Sequence, residues 1–252
     1  MQLKKYARIE TAVLLVAGKG SRLITKYSPI LPKPLIPVND TPVIDYVMKN
    51  ILKLGLNRVI VIVNYKEEII RDYLEVTYPN LNKIYVRQEK LTGIADGIKL
   101  AEPYINGSFF VFLGDEINIF SNHSDFLTIF AKKNALIVQG FVEENNLEVL
   151  KRTNEVKVNG NNLIIDIEEK PNHPEYHHRA VGIYLFDHRI FSYIEKTEIS
   201  STRNEREITD TVGLVSKLKQ AYGIELKGFS YNINTNSDLE HAKEKLTMLP
   251  NE

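Results

Sequence analysis

The chain has 252 residues, 43% hydrophobic and 25% charged, enough for one large α/β domain or two small ones. Lys plus Arg and Asp plus Glu both total 32, so no net field recruits nucleic acid or anionic lipid, and the absence of cysteine excludes disulfides, thiolate nucleophiles and Cys-ligated zinc. The basic start Met1–Tyr6 is not followed by an apolar stretch of signal length and no apolar run approaches a membrane span, so a cytoplasmic protein without nucleic-acid or membrane partners is expected.

Ala12 to Val16 is a continuous apolar run, the pattern of a strand buried on both faces. Thr41 as N-cap with Pro42 at the first position opens a helix over Thr41 to Leu54, with apolar residues at helical spacing, and Gly55 ends it. Arg58–Val63 is a second buried strand, Lys66 to Tyr73 a helix with Ile69, Ile70, Tyr73 and Leu74 on one face, and Lys83–Gln88 a third strand. A short helix over Ala95 to Leu100 leads to a fourth strand, Ser108–Leu113, which ends at Gly114-Asp115-Glu116. This alternation implies right-handed βαβ crossovers and a doubly wound, mostly parallel, Rossmann-like sheet with helices on both faces. Ligands on such sheets gather at the carboxyl ends of the strands, here the loops after 16, 63, 88 and 113.

The second half reads differently. A helix over Asp125 to Lys132 precedes a strand over Ala135 to Val142, and alternation around Asn159-Gly160 predicts a hairpin over 155–167. Arg179 to Phe186 is a strand, and Glu207 to Gln220 an amphipathic helix burying Ile208, Val212, Leu214, Val215 and Leu218. Ile224 to Phe229 is a strand, and Ser237 to Leu246 a last helix capped by Ser237 or Asp238. No repeat or low-complexity stretch breaks the chain, so one domain over 1–252 is expected.

The first strand runs into Ala17-Gly18-Lys19-Gly20-Ser21-Arg22-Leu23, and Pro32-Lys33-Pro34-Leu35 follows. Glycine permits positive φ and a close approach of backbone to ligand, so this loop is a candidate phosphate cradle, with Arg22 and Lys33 as fixed cations. The prolines around Lys33 hold it on a stiff extended segment. The loop lacks the spacing of a P-loop. Leu23 stands where a dinucleotide fingerprint needs a third glycine, and Asn64 where it needs an acid. Asp115, at the end of a buried strand, suits a magnesium ion that takes few ligands from protein, although a turn aspartate after glycine reads the same way. The Gln88 amide has one accepting and one donating face, which suits a pyrimidine edge. His173, His177, His178 and Glu175 have a spacing a metal could use, but a solvated loop explains them as well.

The two segments 17–23 and 32–38 together resemble the signature of the sugar-1-phosphate nucleotidylyltransferases, the family of glucose-1-phosphate thymidylyltransferase and other NDP-sugar pyrophosphorylases. The resemblance runs over nearly the whole chain. It implies a transfer of NMP from an NTP to a sugar 1-phosphate, giving NDP-sugar and pyrophosphate, with Mg²⁺ as cofactor and a pyrimidine nucleotide favoured. It implies that Ala17, Gly18, Gly20 and Ser21 hold the nucleotide, together with Gln88, Gly93 and Asp96 of Gln88-Glu89-Lys90-Leu91-Thr92-Gly93-Ile94-Ala95-Asp96. Arg22, Lys33 and Lys170 become the catalytic cations. Glu168-Glu169-Lys170-Pro171 and Val181-Gly182-Ile183-Tyr184 resemble the segments that meet the sugar phosphate through Glu169, Lys170 and Gly182. Residues 1–120 then form a nucleotide half, and 121–252 a sugar-phosphate half that includes the hairpin.

Four departures bear on this. The stretch between Arg22 and Lys33 is one residue longer than the resemblance implies and lacks a proline near Ile24-Thr25, and no Tyr-Gly-Val lies near Leu147 to Lys151. Glu116 follows Asp115 where another residue is usual, and Asn232 stands where the resemblance implies an aspartate as the second metal ligand beside Asp115. Asn offers only a neutral oxygen. The other expectation is therefore a catalytically weakened nucleotide-sugar sensor or partner subunit of the same fold. The sugar or other phosphorylated alcohol, and whether the chain forms a homo-oligomer, stay open.

Overall fold

Alternate residues of the first strand part to opposite sides of one sheet. Ala12, Leu14 and Val16 join one buried cluster, and Val13 and Ala17 another. The computed structural model describes residues 9–25, 27–201 and 203–248, so the N-terminal run Met1–Tyr6 lies outside the described residues. Its first half holds β1 (Thr11–Leu15), a two-stranded clip of β2 (Pro37–Val38) and β3 (Thr41–Pro42), α1 (Val43–Lys53), β4 (Arg58–Val63), α2 (Glu67–Thr77), β5 (Asn82–Arg87), α3 (Ile94–Lys99) and β6 (Phe109–Leu113). The second half holds β7 (Glu116–Phe120), α4 (His123–Lys133), β8 (Ile137–Glu143), α5 (Leu147–Arg152), β9 (Asn154–Val158), β10 (Ile164–Glu169), β11 (His178–Phe186), α6 (Ile190–Lys196), α7 (Ile208–Ser216), β12 (Ala221–Glu225), β13 (Gly228–Asn232) and α8 (Asn236–Thr247).

Seven strands form the main sheet in the order β12-β8-β11-β6-β1-β4-β5. β1 pairs parallel with β4 and β6, β4 with β5 and β12 with β8, while β11 runs antiparallel to both β6 and β8. The expected doubly wound α/β sheet is therefore present, with one reversed strand in its middle. Buried residues of α1, α2 and α4 cover one face, and those of α3, α6 and α7 the other. A third cluster (Leu23, Ile36, Val43, Tyr46, Ile117, Ile233, Leu239) fastens the loops after β1 to an antiparallel ribbon of β7 and β13 and to α8.

Several boundaries differ from expectation. Thr41 pairs with Val38 in the clip and does not cap α1, whose N-cap is Pro42. Lys33–Leu35 is not extended. With Pro34 inside its first positions it forms one 3-10 turn, closed by Leu35 N–H donating to Pro32 O at 2.9 Å. Ile69 is exposed, and only Ile70 and Leu74 are buried on α2. The hairpin β9–β10 turns at Asn159-Gly160 as expected, with Asn162 N–H donating to Asn159 O at 2.9 Å. Its loop spans 159–163, with the Asn159 side chain accepting from the amides of Asn161 and Leu163. The α7 helix stops at Ser216, leaving Leu218 49% exposed, and Leu214 is only half-buried. The apolar run 224–229 is two strands in different sheets, because the chain leaves the main sheet at Leu226 and Lys227 to join the ribbon. Thr235, not Ser237 or Asp238, caps α8, in a capping box with Asp238 at the third position.

Candidate functional site

At the carboxyl ends of β1, β5 and β6 lies a cavity of about 500 Å³. It opens where the crossovers from β1 and to β6 leave on opposite sides, the switch point at which open α/β sheets leave a crevice. The loop after β4 is set back from it, with Asn64 Nδ2 donating to Gln88 O at 2.7 Å.

The phosphate-loop candidates Ala17, Gly18, Gly20, Ser21 and Arg22 all line the cavity. Gly20 has φ +62, and a Cβ there would lie 2.7 Å from Lys33 Cβ. The glycine therefore lets the Lys33 stem cross the loop, while a Cβ on Gly18 would meet no described atom within 4 Å. Lys33 is 7% exposed, and its ammonium donates to Asp115 Oδ2 at 2.6 Å and to Asn234 Oδ1 at 3.0 Å. Arg22 Nη2 donates to the same Asn234 oxygen at 3.3 Å. Two cations from the first loops and one acid from the end of β6 thus meet at one point, which is what binding a polyanion requires.

The end of β13 sits against Asp115, with Ile233 N–H donating to Asp115 O at 3.1 Å. Asn232 lines the cavity there, its Nδ2 donating to Glu116 Oε1 at 3.2 Å. Its Oδ1 is buried and has no hydrogen-bond partner among the described residues. A buried orphan oxygen beside a carboxylate fits a hard divalent cation that draws its other ligands from phosphate and water. Burial raises the Glu116 pKa, against the pull of the Arg179 charge and the Gly182 amide.

At the end of β5 Gln88 is 5% exposed and donates through Nε2 to Gly93 O at 3.1 Å. Gly93 has φ +120, and a Cβ would lie 2.3 Å from Arg206 O. The glycine is required first by packing against the segment 198–207 rather than by an approaching base. Asp96, expected on the nucleotide, is absent from the described cavity wall and pairs with Arg206 Nε at 2.8 Å. Arg206 also donates to Thr197 O, which ties that segment over the N-terminus of α3.

At the end of β10 Glu169 and Lys170 line the cavity. Glu169 accepts from Thr209 Oγ1 at 2.9 Å and from Arg203 Nη1 at 3.1 Å. Lys170 holds φ +50, fixed by its N–H donating to Thr153 O at 2.8 Å. Gly182 also lines the wall, but its N–H donates to Glu116 Oε2 at 2.7 Å rather than standing ready for a sugar. Among the wall residues not expected from the sequence are Asn234, Arg203 and Glu207. The arginine in Arg203-Asn204-Glu205-Arg206-Glu207, just before a helix, was the available signal.

Glu207 Oε1 lies 2.9 Å from Arg203 Nη1 as an ion pair, without hydrogen-bond alignment. Burial lifts its pKa from 4.5 to about 7, Arg203 opposing. The folded protein then holds a proton that the unfolded chain gives up, so this group's stabilising contribution is lost as pH rises from about 4.5 to about 7. Glu207→Gln should therefore gain in Tm relative to the parent across that window. A Tm difference that does not change with pH would refute the shift.

Among the described residues no group of three or more His, Cys, Asp or Glu is placed to hold a metal, His173, His177 and His178 included. No described helix is long and apolar enough to cross a membrane.

Known proteins resemble this chain along most of its length. A family model described as nucleotidyl transferase matches residues 11–247. A bifunctional protein GlmU of Methanocaldococcus jannaschii is 33% identical over 236 residues, covering 93% of this chain and 54% of that protein. The UTP–glucose-1-phosphate uridylyltransferase AglF of Haloferax volcanii is 27% identical over 236 residues, covering 93% of this chain and 96% of the relative. The chain spans about half the length of the GlmU relatives it matches. A crystal structure of UDP-glucose pyrophosphorylase complexed with UDP-glucose has TM-score 0.83 at 21% identity over 95% of this chain and 98% of the other, which shows a shared fold. With a family match over nearly every described residue and that fold beneath it, the chain belongs to the nucleotidyl transferase family.

Proposed function

We propose that the chain transfers a nucleotidyl group from an NTP to a sugar 1-phosphate, releasing pyrophosphate. The observation that carries this is the meeting of Arg22, Lys33 and Asp115, through Asn234, at the strand ends. An oxygen of the sugar phosphate forms a bond to the α-phosphorus in line, the α–β phosphoanhydride bond breaks, and pyrophosphate carries away the electron pair. No covalent enzyme intermediate is needed, so catalysis is positioning and charge stabilisation.

Arg22 and the loop amides of 18–21 hold the β- and γ-phosphates. Lys33 follows the charge that grows on the α-phosphate. The nucleotide half is 1–120, with Gln88 and the Gly93 backbone meeting a pyrimidine edge. In the half from 121 on, Lys170 and Arg203 orient the acceptor phosphate, and Glu169 accepts from the sugar hydroxyls. Asp115 and the Asn232 Oδ1 would hold Mg²⁺, which neutralises triphosphate charge when bound. Both halves build the phosphate site, since Asn232 and Asn234 come from the second.

UTP with glucose 1-phosphate is the first pair to test, because the AglF relative bears that activity in its name. Pyrophosphate release is measured across the four NTPs and a panel of sugar phosphates with Mg²⁺. Release with one pair supports transfer. Thermal stabilisation by nucleotide sugars without release from any pair would favour the sensor or partner-subunit reading instead.

A further inference from the structure

The reaction above leaves Glu116 without a task, although it is 3% exposed in the cavity wall beside Asp115. In the β7–β13 ribbon it stands directly opposite Asn232. Both of its oxygens are engaged. Oε2 accepts from Gly182 N–H at 2.7 Å and from Asn118 Nδ2 at 3.3 Å, and Oε1 accepts from Asn232 Nδ2 at 3.2 Å. Three N–H groups thus donate to the two Glu116 oxygens, and the amide of Asn232 presents its NH₂ to the carboxyl group. That choice turns the Asn232 carbonyl oxygen away from Glu116, and this is the oxygen that is buried without a partner among the described residues.

We propose that Glu116 is a positioning residue: it fixes the amide of Asn232 so that its carbonyl oxygen is offered as a ligand to the divalent cation held by Asp115. This rests on the site reading given under Proposed function. Partners of this kind orient metal ligands, and their loss costs about 10- to 100-fold in metal affinity.

Glu116→Gln breaks the arrangement in a defined way, because the new side chain has one accepting atom for two jobs. The Gly182 N–H, bound at 2.7 Å, takes that atom. The NH₂ of the introduced amide then faces residue 232, and the asparagine must turn its own NH₂ toward the cation. Asn232→Asp repairs this, since a carboxylate there accepts from the introduced amide with one oxygen and offers the other.

The test is binding of Mn²⁺ alone to the full chain, counted from the EPR signal of free ion, with the Asn232 side-chain ¹⁵N signals followed in parallel. Glu116→Gln should weaken binding about 10- to 100-fold and shift the Asn232 side-chain signals, whereas Glu116→Gln/Asn232→Asp should recover most of the affinity. Parent-like binding by Glu116→Gln overturns the proposal. So does a paired variant that stays as weak as Glu116→Gln, or a parent chain that binds no Mn²⁺. If Glu116→Gln alone does not fold, the paired variant decides: folded with parent-like binding upholds the pairing, and unfolded or weak overturns it. A parent chain that binds Mn²⁺ but releases no pyrophosphate sinks the transfer reaction and leaves this comparison standing.

Discussion

Lys33→Ala is expected to lower kcat for pyrophosphate release by about 10²- to 10³-fold, or about 2.7–4 kcal/mol of transition-state stabilisation, with a much smaller change in nucleotide affinity. The magnitude follows from placement. A unit charge about 4 Å from a developing charge is worth about 4 kcal/mol at an effective dielectric of about 20. Lys33 is nearly buried, its stem is held over Gly20, and its ammonium is already anchored by Asp115 and Asn234. Reorganisation at the moment of reaction is therefore small. Arg22, exposed on its loop, is by contrast proposed to bind the nucleotide, and its loss should appear mainly in KM. Steady-state kinetics and nucleotide titration of Lys33→Ala make the check. An unchanged kcat, or a loss entirely in KM, excludes the role given to Lys33.

The second large effect is on stability. Gly93 has φ +120 and ψ 166, a region open essentially to glycine, and its Cα faces the backbone of Arg206. Gly93→Ala combines backbone strain with an overlap that only movement of the 198–207 segment can relieve. About 3 kcal/mol is the expected loss from the two together. For a chain of this size that is a fall of about 6–12 °C in Tm without any ligand. If Gly93 mattered only for contact with the base, the variant would melt like the parent and merely bind nucleotide less well, and calorimetry with and without UTP separates the two cases.

What the sequence revealed follows from where the driving force is local. Strands β1, β4 and β6 are buried on both faces, so each is an apolar run that needs no partner to be recognised. The Gly18–Arg22 loop and Lys33 were legible for a similar reason, since glycine and proline impose their geometry on the chain itself. Strand β7 was missed because Glu116 and Asn118 are polar residues buried in the ribbon, which hides its alternation. Helices α5 and α6, of 6 and 7 residues, are too short for periodicity to speak. Asn234 shows the limit most clearly. It is one of several asparagines until the fold sets its oxygen on Lys33, 201 residues away in the chain. Asp96 shows the opposite error, a motif residue whose carboxylate is spent on Arg206, at a separation of 110 residues.

The segment between Thr197 and Ile208 brings Arg203 and Glu207 to the acceptor side, while its Arg206 backbone and guanidinium clasp the turn at Gly93 and Asp96 on the base side. On the site reading proposed above, one short strap then bears on both selectivities. If that reading holds, an engineer who diversifies the strap to admit a new acceptor will inherit an altered preference among nucleobases, and libraries there should carry compensating variation at 92–96 from the start.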